Sequence, residues 1–122
     1  MTDQADTRDI AADVAFLLRE GRDDEAGRKY WAEDLKSIEA RRDWPVSVGP
    51  EAARAKGEWF MANHEVHDVK VEGPWVNGDQ FTLRITYDLT PLETGVRTTF
   101  EEIALYTVRD GQIVEEKFFY DA

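Results

Sequence analysis

The strongest constraint on the fold is a strict alternation of apolar and polar side chains over residues 80–89. Apolar side chains occupy every second position of this segment, and polar side chains occupy the positions between them. A period of two places the apolar set on one face of a β-strand and the polar set on the other. The segment therefore predicts a strand with one buried face, whose inward residues are Phe81, Leu83, Ile85, Tyr87 and Leu89.

Turn signals divide the second half of the chain into four strands. Asn77-Gly78 lies just before the alternating segment, and Asp110-Gly111 lies between the last two apolar-rich segments. Both dipeptides tolerate positive φ and suit tight hairpins. A longer loop over residues 90–96 makes the remaining connection. The second half thus predicts a meander of four antiparallel strands.

Helical spacing of apolar residues marks the first half of the chain. Gly21 is a typical helix stop, and Pro50 is tolerated in a first turn. The third helix carries Lys56 on a mixed apolar face. The predicted helices cover residues 7–20, 23–31 and 50–63.

These elements predict one α+β domain over residues 1–122. A short strand is expected over residues 35–40, between the second and third helices, and an irregular stretch follows it. Long antiparallel strands twist and curl, so the three helices should cover the concave side of a strongly curved antiparallel sheet. We expect the curved sheet and its helices to enclose an apolar pocket of a few hundred Å³.

Charge and residue types exclude several classes of function. The chain has 15 basic and 26 acidic residues, a net charge of −11, without a cluster of Lys or Arg. Such a surface repels polyanions, so neither nucleic acid nor an anionic membrane is expected as a partner. Cysteine is absent, no apolar run approaches the ~20 residues of a membrane span, and the N-terminus does not resemble a targeting peptide. A cytoplasmic location is therefore expected.

No metal or cofactor site is predicted. His64 and His67 are the chain's two histidines. On a strand, a spacing of three points them to opposite faces, so they cannot hold one ion together. Phosphate-binding loops and nucleophile elbows are also absent from the sequence.

Three stretches resemble the SnoaL-like branch of the nuclear transport factor 2-like superfamily, whose members fold as a cone. Residues 30–40 resemble the family's aromatic-acidic helix end and first strand, residues 49–59 the helix that closes the cone, and residues 106–114 the final hairpin. The superfamily includes isomerases, cyclases, epoxide hydrolases, dehydratases and non-enzymatic binding proteins. The resemblance therefore implies the fold and leaves the function open.

The resemblance also implies a role for Glu39. In ketosteroid isomerase-like members, a carboxylate near the end of the first strand is the general base, and Glu39 falls at that position. A carboxylate that faces an apolar pocket loses hydration and becomes a stronger base. The alternative is a glutamate at the rim, paired with Arg41 or Arg42.

Glu102 is the second candidate. If Phe100 and Ala104 face inward, period two places Glu102 inward with them. Two carboxyl groups in one cavity favour one ionised and one protonated form, as acid–base catalysis requires. The alternative register buries Ile103 and Leu105 and leaves Glu102 in water. Isomerase-like relatives place an oxyanion-hole acid near the position of Ala104, so this chain departs from steroid isomerase chemistry.

Further residues complete the predicted pocket. Tyr87 and Tyr106 either donate phenolic protons to a ligand oxygen or pack in the core. His67 shares parity with Val69 and Val71 and is either a polar pocket group or a solvated histidine. Alternation requires one of the last three aromatic residues, 118–120, to face outward. The predicted apolar wall consists of Trp59, Phe81, Leu83, Ile85, Phe118 and Tyr120.

We therefore expect a pocket protein for a small apolar or amphipathic ligand. It is a cofactor-independent isomerase, cyclase or hydrolase with Glu39 as base, or else a non-catalytic ligand-binding module or a structural homodimer. A homodimer is expected because Ile103 and Leu105 leave an apolar strip on the convex face of the sheet.

Overall fold

The computed structural model describes residues 3–121, and the side chains of residues 6–121. Three helices pack on one six-stranded sheet, which confirms the predicted α+β architecture. The elements are α1 (Asp3–Arg19), α2 (Asp23–Tyr30), β1 (Trp31–Ile38), β2 (Ser47–Val48), α3 (Pro50–Asn63), β3 (His64–Asn77), β4 (Gln80–Pro91), β5 (Thr98–Arg109) and β6 (Gln112–Phe119).

The sheet is mostly antiparallel, with the strand order β2-β1-β6-β5-β4-β3. The last four strands form the predicted meander, whereas β1 runs parallel to β6. Sequence alternation does not report the direction of a neighbouring strand, so the parallel pair was not predicted. β1 also begins at Trp31, earlier than the expected residue 35, and β2 forms beyond the irregular stretch that was expected to lead directly to α3.

Both tight hairpins contain the expected glycines. Asp110 and Gly111 have φ values of 52° and 77°, the left-handed pair that a type I′ turn requires. In the first hairpin the turn residues are Gly78 and Asp79, one position later than predicted. Gly78 has φ of 63° and supplies the positive φ of that turn.

The register of β4 and β5 determines what faces the helices. Directly paired residues share a face of the sheet. Phe81 pairs with Tyr106, and Leu83 pairs with Ala104. All four are buried in the core, together with Ile10, Ala11, Val14 and Ala15 of α1 and Ala53 of α3. The structure thus has the first of the two registers considered for β5.

The outer face of the sheet carries a smaller apolar strip. Ile103 is 40% exposed and pairs across β5 and β6 with Phe119, which is 45% exposed. Phe119 is therefore the outward-facing member of the last three aromatic residues. The homodimer expected from this strip stays a prediction. None of the helices within residues 3–121 is long and apolar enough to cross a lipid bilayer.

Candidate functional site

A cavity of about 1140 Å³ lies between the inner face of the sheet and the three helices. It is open to solvent and larger than the few hundred Å³ expected from the sequence. Trp44 and Trp59 both line it, and their rings meet edge to face with centroids 5.3 Å apart. Trp59 is about half exposed, so its indole contributes to the rim of the cavity rather than to its buried wall.

Aromatic rings form one wall of the cavity. The centroids of Phe60 and Tyr87 are 5.3 Å apart, and those of Phe100 and Tyr120 are 5.1 Å apart. Such contacts suit a planar apolar ligand, which can stack against the rings. Ile85 and Phe118 also line the cavity, as predicted.

Glu39 follows β1 directly and lines the cavity. Lys56 Nζ lies 2.6 Å from Glu39 Oε2, and the Tyr120 hydroxyl donates a 2.7 Å hydrogen bond to Oε1. The Glu39 side chain is only 16% exposed. The alternative partner Arg41 pairs instead with Asp43 at 3.1 Å. Glu39 is therefore not the arginine-paired rim residue considered as the alternative.

Lys56 links Glu39 to a second buried carboxylate. Its ammonium donates a 2.6 Å hydrogen bond to Ser37 Oγ, which in turn donates a 2.7 Å bond to Glu116 Oε2. Trp31 Nε1 donates to the other oxygen of Glu116 at 2.9 Å. We call the connected set, Trp31, Glu116, Ser37, Lys56, Glu39 and Tyr120, the polar chain.

The local structure explains how the polar chain is held. Ser37 and Glu116 are register partners on the parallel strands β1 and β6, so their side chains meet on the inner face. The Trp31 indole lies against α2, where a Cβ atom on Gly27 would approach its ring to 2.7 Å. The glycine therefore makes room for the ring that orients Glu116.

Glu102 pairs with Ile85 in the β4–β5 register and lines the cavity. Among side chains 6–121, none forms a hydrogen bond or an ion pair with its carboxyl group. Desolvation by burial, with the nearby charges of Glu39 and Glu116, raises the pKa of Glu102 to about 8, while Lys56 opposes the shift. Glu102 is therefore protonated at neutral pH and presents a hydroxyl group to the cavity.

Burial shifts the pKa of the other buried acid and of two phenols in the same direction. Burial raises the pKa of Glu116, although the hydrogen bonds from Ser37 and Trp31 act in the opposite direction. Burial, with the nearby charge of Glu102, raises the pKa of the Tyr87 phenol well above its ordinary value. Burial likewise raises the pKa of the Tyr106 phenol well above its ordinary value. The Tyr106 ring stacks on Phe81, with ring centroids 4.7 Å apart. Both phenols therefore keep their protons.

The histidines contradict one expectation. His67 is exposed and bonds Thr90 Oγ1 through Nε2 at 2.8 Å. A register irregularity in β3 between Val66 and Asp68 breaks the parity that predicted an inward His67, so it is not a pocket residue. His64 lines the cavity and stacks on Phe60. Within residues 3–121, no three His, Asp or Glu side chains are clustered as metal ligands.

Phe81 and Leu83 also differ from the predicted wall. Their relative exposures are 1% and 0%, and they pack in the core below the cavity instead of lining it. Tyr87 and Ile85, further along the same strand, do line it. The predicted inward face of β4 is correct, but the cavity occupies only one end of that face.

Four members of the polar chain were not predicted as site residues: Trp31, Ser37, Lys56 and Glu116. Lys56 had a visible signal, because a lysine on the apolar face of a helix needs a partner. Ser37 and Glu116 had none, because their contact depends on the parallel pairing of β1 with β6.

Comparisons with known proteins agree with the fold. The SnoaL-like domain family matches residues 5–120. A protein of Mesorhizobium loti, named as a SnoaL-like polyketide cyclase, is 50% identical with a TM-score of 0.88, and the match covers 93% of this chain and 97% of that chain.

Two more distant structures share the fold alone. One, from Jannaschia sp. CCS1 and also named as a SnoaL-like polyketide cyclase, is 19% identical with a TM-score of 0.72, covering 92% of this chain and 85% of that one. The other, AclR of Streptomyces galilaeus, named as a hydroxylase, is 15% identical with a TM-score of 0.72, covering 97% and 90%. A search of curated proteins found no match. The family match and the Mesorhizobium relative show that the chain belongs to the SnoaL-like domain family.

Proposed function

We propose that this protein is a cofactor-independent enzyme that moves a proton on a small carbonyl compound, with Glu39 as base and Glu102 as acid. One observation carries the proposal. Two carboxyl groups line the same cavity in opposite environments, because Glu39 is ion-paired with Lys56 at 2.6 Å whereas Glu102 is desolvated and unpartnered among the described side chains. One ionised and one protonated carboxyl is the arrangement that acid–base catalysis requires.

The reaction begins with the transfer of a proton from carbon to oxygen. Glu39 takes a proton from a carbon next to a carbonyl group. The electron pair of the broken C–H bond forms a carbon–carbon double bond, and the π pair of the carbonyl moves onto its oxygen. The Glu102 hydroxyl and the Tyr87 phenol donate hydrogen bonds to that oxygen as it becomes negative. Return of the proton from Glu39 to another carbon completes an isomerisation. Alternatively, the enolate carbon attacks a second carbonyl and closes a ring, and the proton on Glu39 passes to the alkoxide that this attack creates.

The substrate class follows from the wall of the cavity and from the relatives. The aromatic rings of Phe60, Tyr87 and Phe100 suit a flat, largely apolar molecule. The Mesorhizobium protein is named as a polyketide cyclase. Polyketides carry carbonyl groups separated by one carbon, and the hydrogens on that carbon are unusually acidic. We therefore place bicyclic or larger polyketide-like ketones in the cavity.

Exchange of solvent deuterium into 2-tetralone and related bicyclic ketones, followed by proton NMR, tests the proposal. The wild-type protein should exceed the buffer rate, and Glu39→Gln should lose about 10²–10⁴-fold of that acceleration, the usual contribution of a general base. The matched control is Glu33→Gln, an exposed position on β1, the strand that Glu39 directly follows. Absence of exchange above the buffer rate for all the ketones, or equal rates in wild type and Glu39→Gln, would contradict the proposal.

A non-catalytic binding module is the second candidate, and the hydrogen bonds of Glu39 favour it. Both of its oxygens already accept a bond, one from Lys56 and one from Tyr120. A carboxylate whose two oxygens both accept hydrogen bonds has fewer free lone pairs to take a proton from a ligand. Saturable quenching of tryptophan fluorescence by 2-tetralone, without any exchange, would support this second candidate.

A further inference from the structure

Lys56 occupies an unusual position for a lysine side chain. Its side chain is 13% exposed, and its ammonium lies 5.2 Å from the centre of the Phe118 ring. An ammonium group has three N–H donors. Two of them bond Glu39 Oε2 and Ser37 Oγ, each at 2.6 Å, and no third acceptor lies among the described residues. Because Lys56 lines the cavity, the third N–H is available to a bound molecule.

We propose that Lys56 is a further catalytic residue, whose free N–H binds the substrate oxygen that becomes negative when Glu39 takes the proton. This inference rests on the proposed proton transfer, and it identifies Lys56 as the cation that balances the negative charge of the enolate oxygen. As the C–H bond breaks and an O–H bond forms on Glu39, the carboxylate becomes neutral and the carbonyl oxygen becomes an enolate. The ammonium therefore exchanges one anionic partner for another and donates no proton itself.

The burial of the carboxyl groups around the cavity explains why such a cation is needed. Desolvation is the main cause that raises the pKa of both Glu102 and Glu116, so a negative charge in this part of the molecule is poorly hydrated. An enolate that forms in the cavity loses water in the same way. Lys56 opposes the shift at both Glu102 and Glu116, so its charge acts over this region and can stabilise the enolate.

Ser37 and Glu116 act as positioning residues for Lys56. Ser37 is fully buried, accepts from the ammonium and donates to Glu116, which Trp31 holds from the other side. This second attachment keeps the ammonium in place when Glu39 loses its charge. Preorganised donors of this kind need no rearrangement during the reaction.

The absence of cysteine permits a direct test by chemical rescue. Lys56→Cys introduces the chain's sole thiol. Alkylation with 2-bromoethylamine restores an ammonium at nearly the length of lysine, whereas iodoacetamide adds a neutral group. We expect 2-tetralone exchange to fall about 10²–10³-fold in the neutral derivative, as when one oxyanion donor is removed, and to recover at least tenfold in the aminoethylated one. Far-UV circular dichroism confirms that both derivatives are folded.

Two outcomes separate this inference from the proposed function. If Glu39→Gln abolishes exchange while both derivatives exchange at equal rates, the role of Lys56 is wrong and the proton transfer stands. Binding of 2-naphthol, a stable planar analogue of the 2-tetralone enolate, tests the same contact without turnover. We expect at least tenfold weaker binding to the neutral derivative than to the aminoethylated one, and equal affinities would overturn the inference.

A third variant tests the positioning role. Ser37→Ala removes one attachment of the ammonium without removing its charge. We expect kcat for exchange to fall while KM changes less than twofold, because the ammonium is needed in place only as charge develops. A rise in KM with kcat unchanged would assign Ser37 to ground-state binding and overturn its positioning role.

Discussion

The two ends of the inner face are built from the same strands, but one end is closely packed and the other borders the cavity. At one end, which we call the packed end, the pairs Phe81–Tyr106 and Leu83–Ala104 are buried among apolar side chains of α1, and of these four residues Tyr106 alone also reaches the cavity. At the other, the open end, Ile85 pairs with Glu102 and Tyr87 with Phe100 beside the cavity. Alternation continues unbroken through both ends. It determines which face a residue occupies, while the size and polarity of the facing side chains determine whether that face is filled.

The two ends also contribute to stability with opposite signs. Each fully buried side chain of the packed end stabilises the fold by about 1.5–3 kcal/mol relative to its exposure to water. At the open end, Glu102 is desolvated without a partner among the described side chains, which costs free energy whenever it is ionised. The apolar burial at the packed end therefore offsets the free-energy cost of the desolvated Glu102 at the open end.

A matched pair of truncations gives the largest expected effect. Leu83→Ala leaves a void inside the packed end and should lower the free energy of unfolding by about 3–5 kcal/mol. Ile85→Ala, two residues further along β4, should cost about 1–3 kcal/mol, because the space it leaves joins a cavity that solvent already enters. Urea denaturation of both variants measures the difference. Equal losses would show that the open end is packed as tightly as the packed end.

The pH dependence of stability gives an effect of similar size that is specific to the open end. The ordinary pKa of the Glu102 carboxyl is 4.5, and the folded protein raises it to about 8. Between these values the folded protein binds a proton that the unfolded chain has released, so Glu102 makes stability fall as pH rises through this window. Glu102→Gln removes this effect. Its stability relative to wild type should rise by about 4–5 kcal/mol between pH 4 and pH 9.

The neighbouring residue supplies the control for that measurement. Glu101 faces outward and pairs with Arg84 at 3.1 Å, and both side chains are about half exposed. Exposed pairs contribute less than about 1 kcal/mol, so Glu101→Gln should show little dependence on pH over the same range. An equal pH dependence of stability in Glu101→Gln and Glu102→Gln would mean that the cavity does not raise the pKa of Glu102.

The fold could be predicted because its signals are local. Alternation in 80–89, the Asp110-Gly111 turn and helical spacing in 50–63 each act over a few residues, and each specified its element correctly. The predicted inward orientation of His67 was wrong, because the register irregularity between Val66 and Asp68 leaves no signal in the alternation of apolar residues. The parallel pairing of β1 with β6 was not predicted, because it joins segments about 80 residues apart and local sequence patterns carry no signal for it.

The candidate site was only partly predictable, because its chemistry depends on non-local contacts. Glu39 was found through the family resemblance and Glu102 through strand parity. Neither signal shows that Lys56 lies between Glu39 and Ser37, or that Glu116 lies behind Ser37. Those contacts combine α3, β1 and β6, whose relative positions are set by the packing of the whole sheet.

The central claim is that Glu102 is protonated at neutral pH in a cavity shared with the ion-paired Glu39. Carbon-13 NMR of the side-chain carboxyl groups, with Glu102 assigned by the signal lost in Glu102→Gln, measures this directly. We expect the Glu102 carboxyl to titrate with a midpoint near 8. A midpoint near the ordinary value of 4.5 would show an ionised, hydrated Glu102 and would contradict the claim.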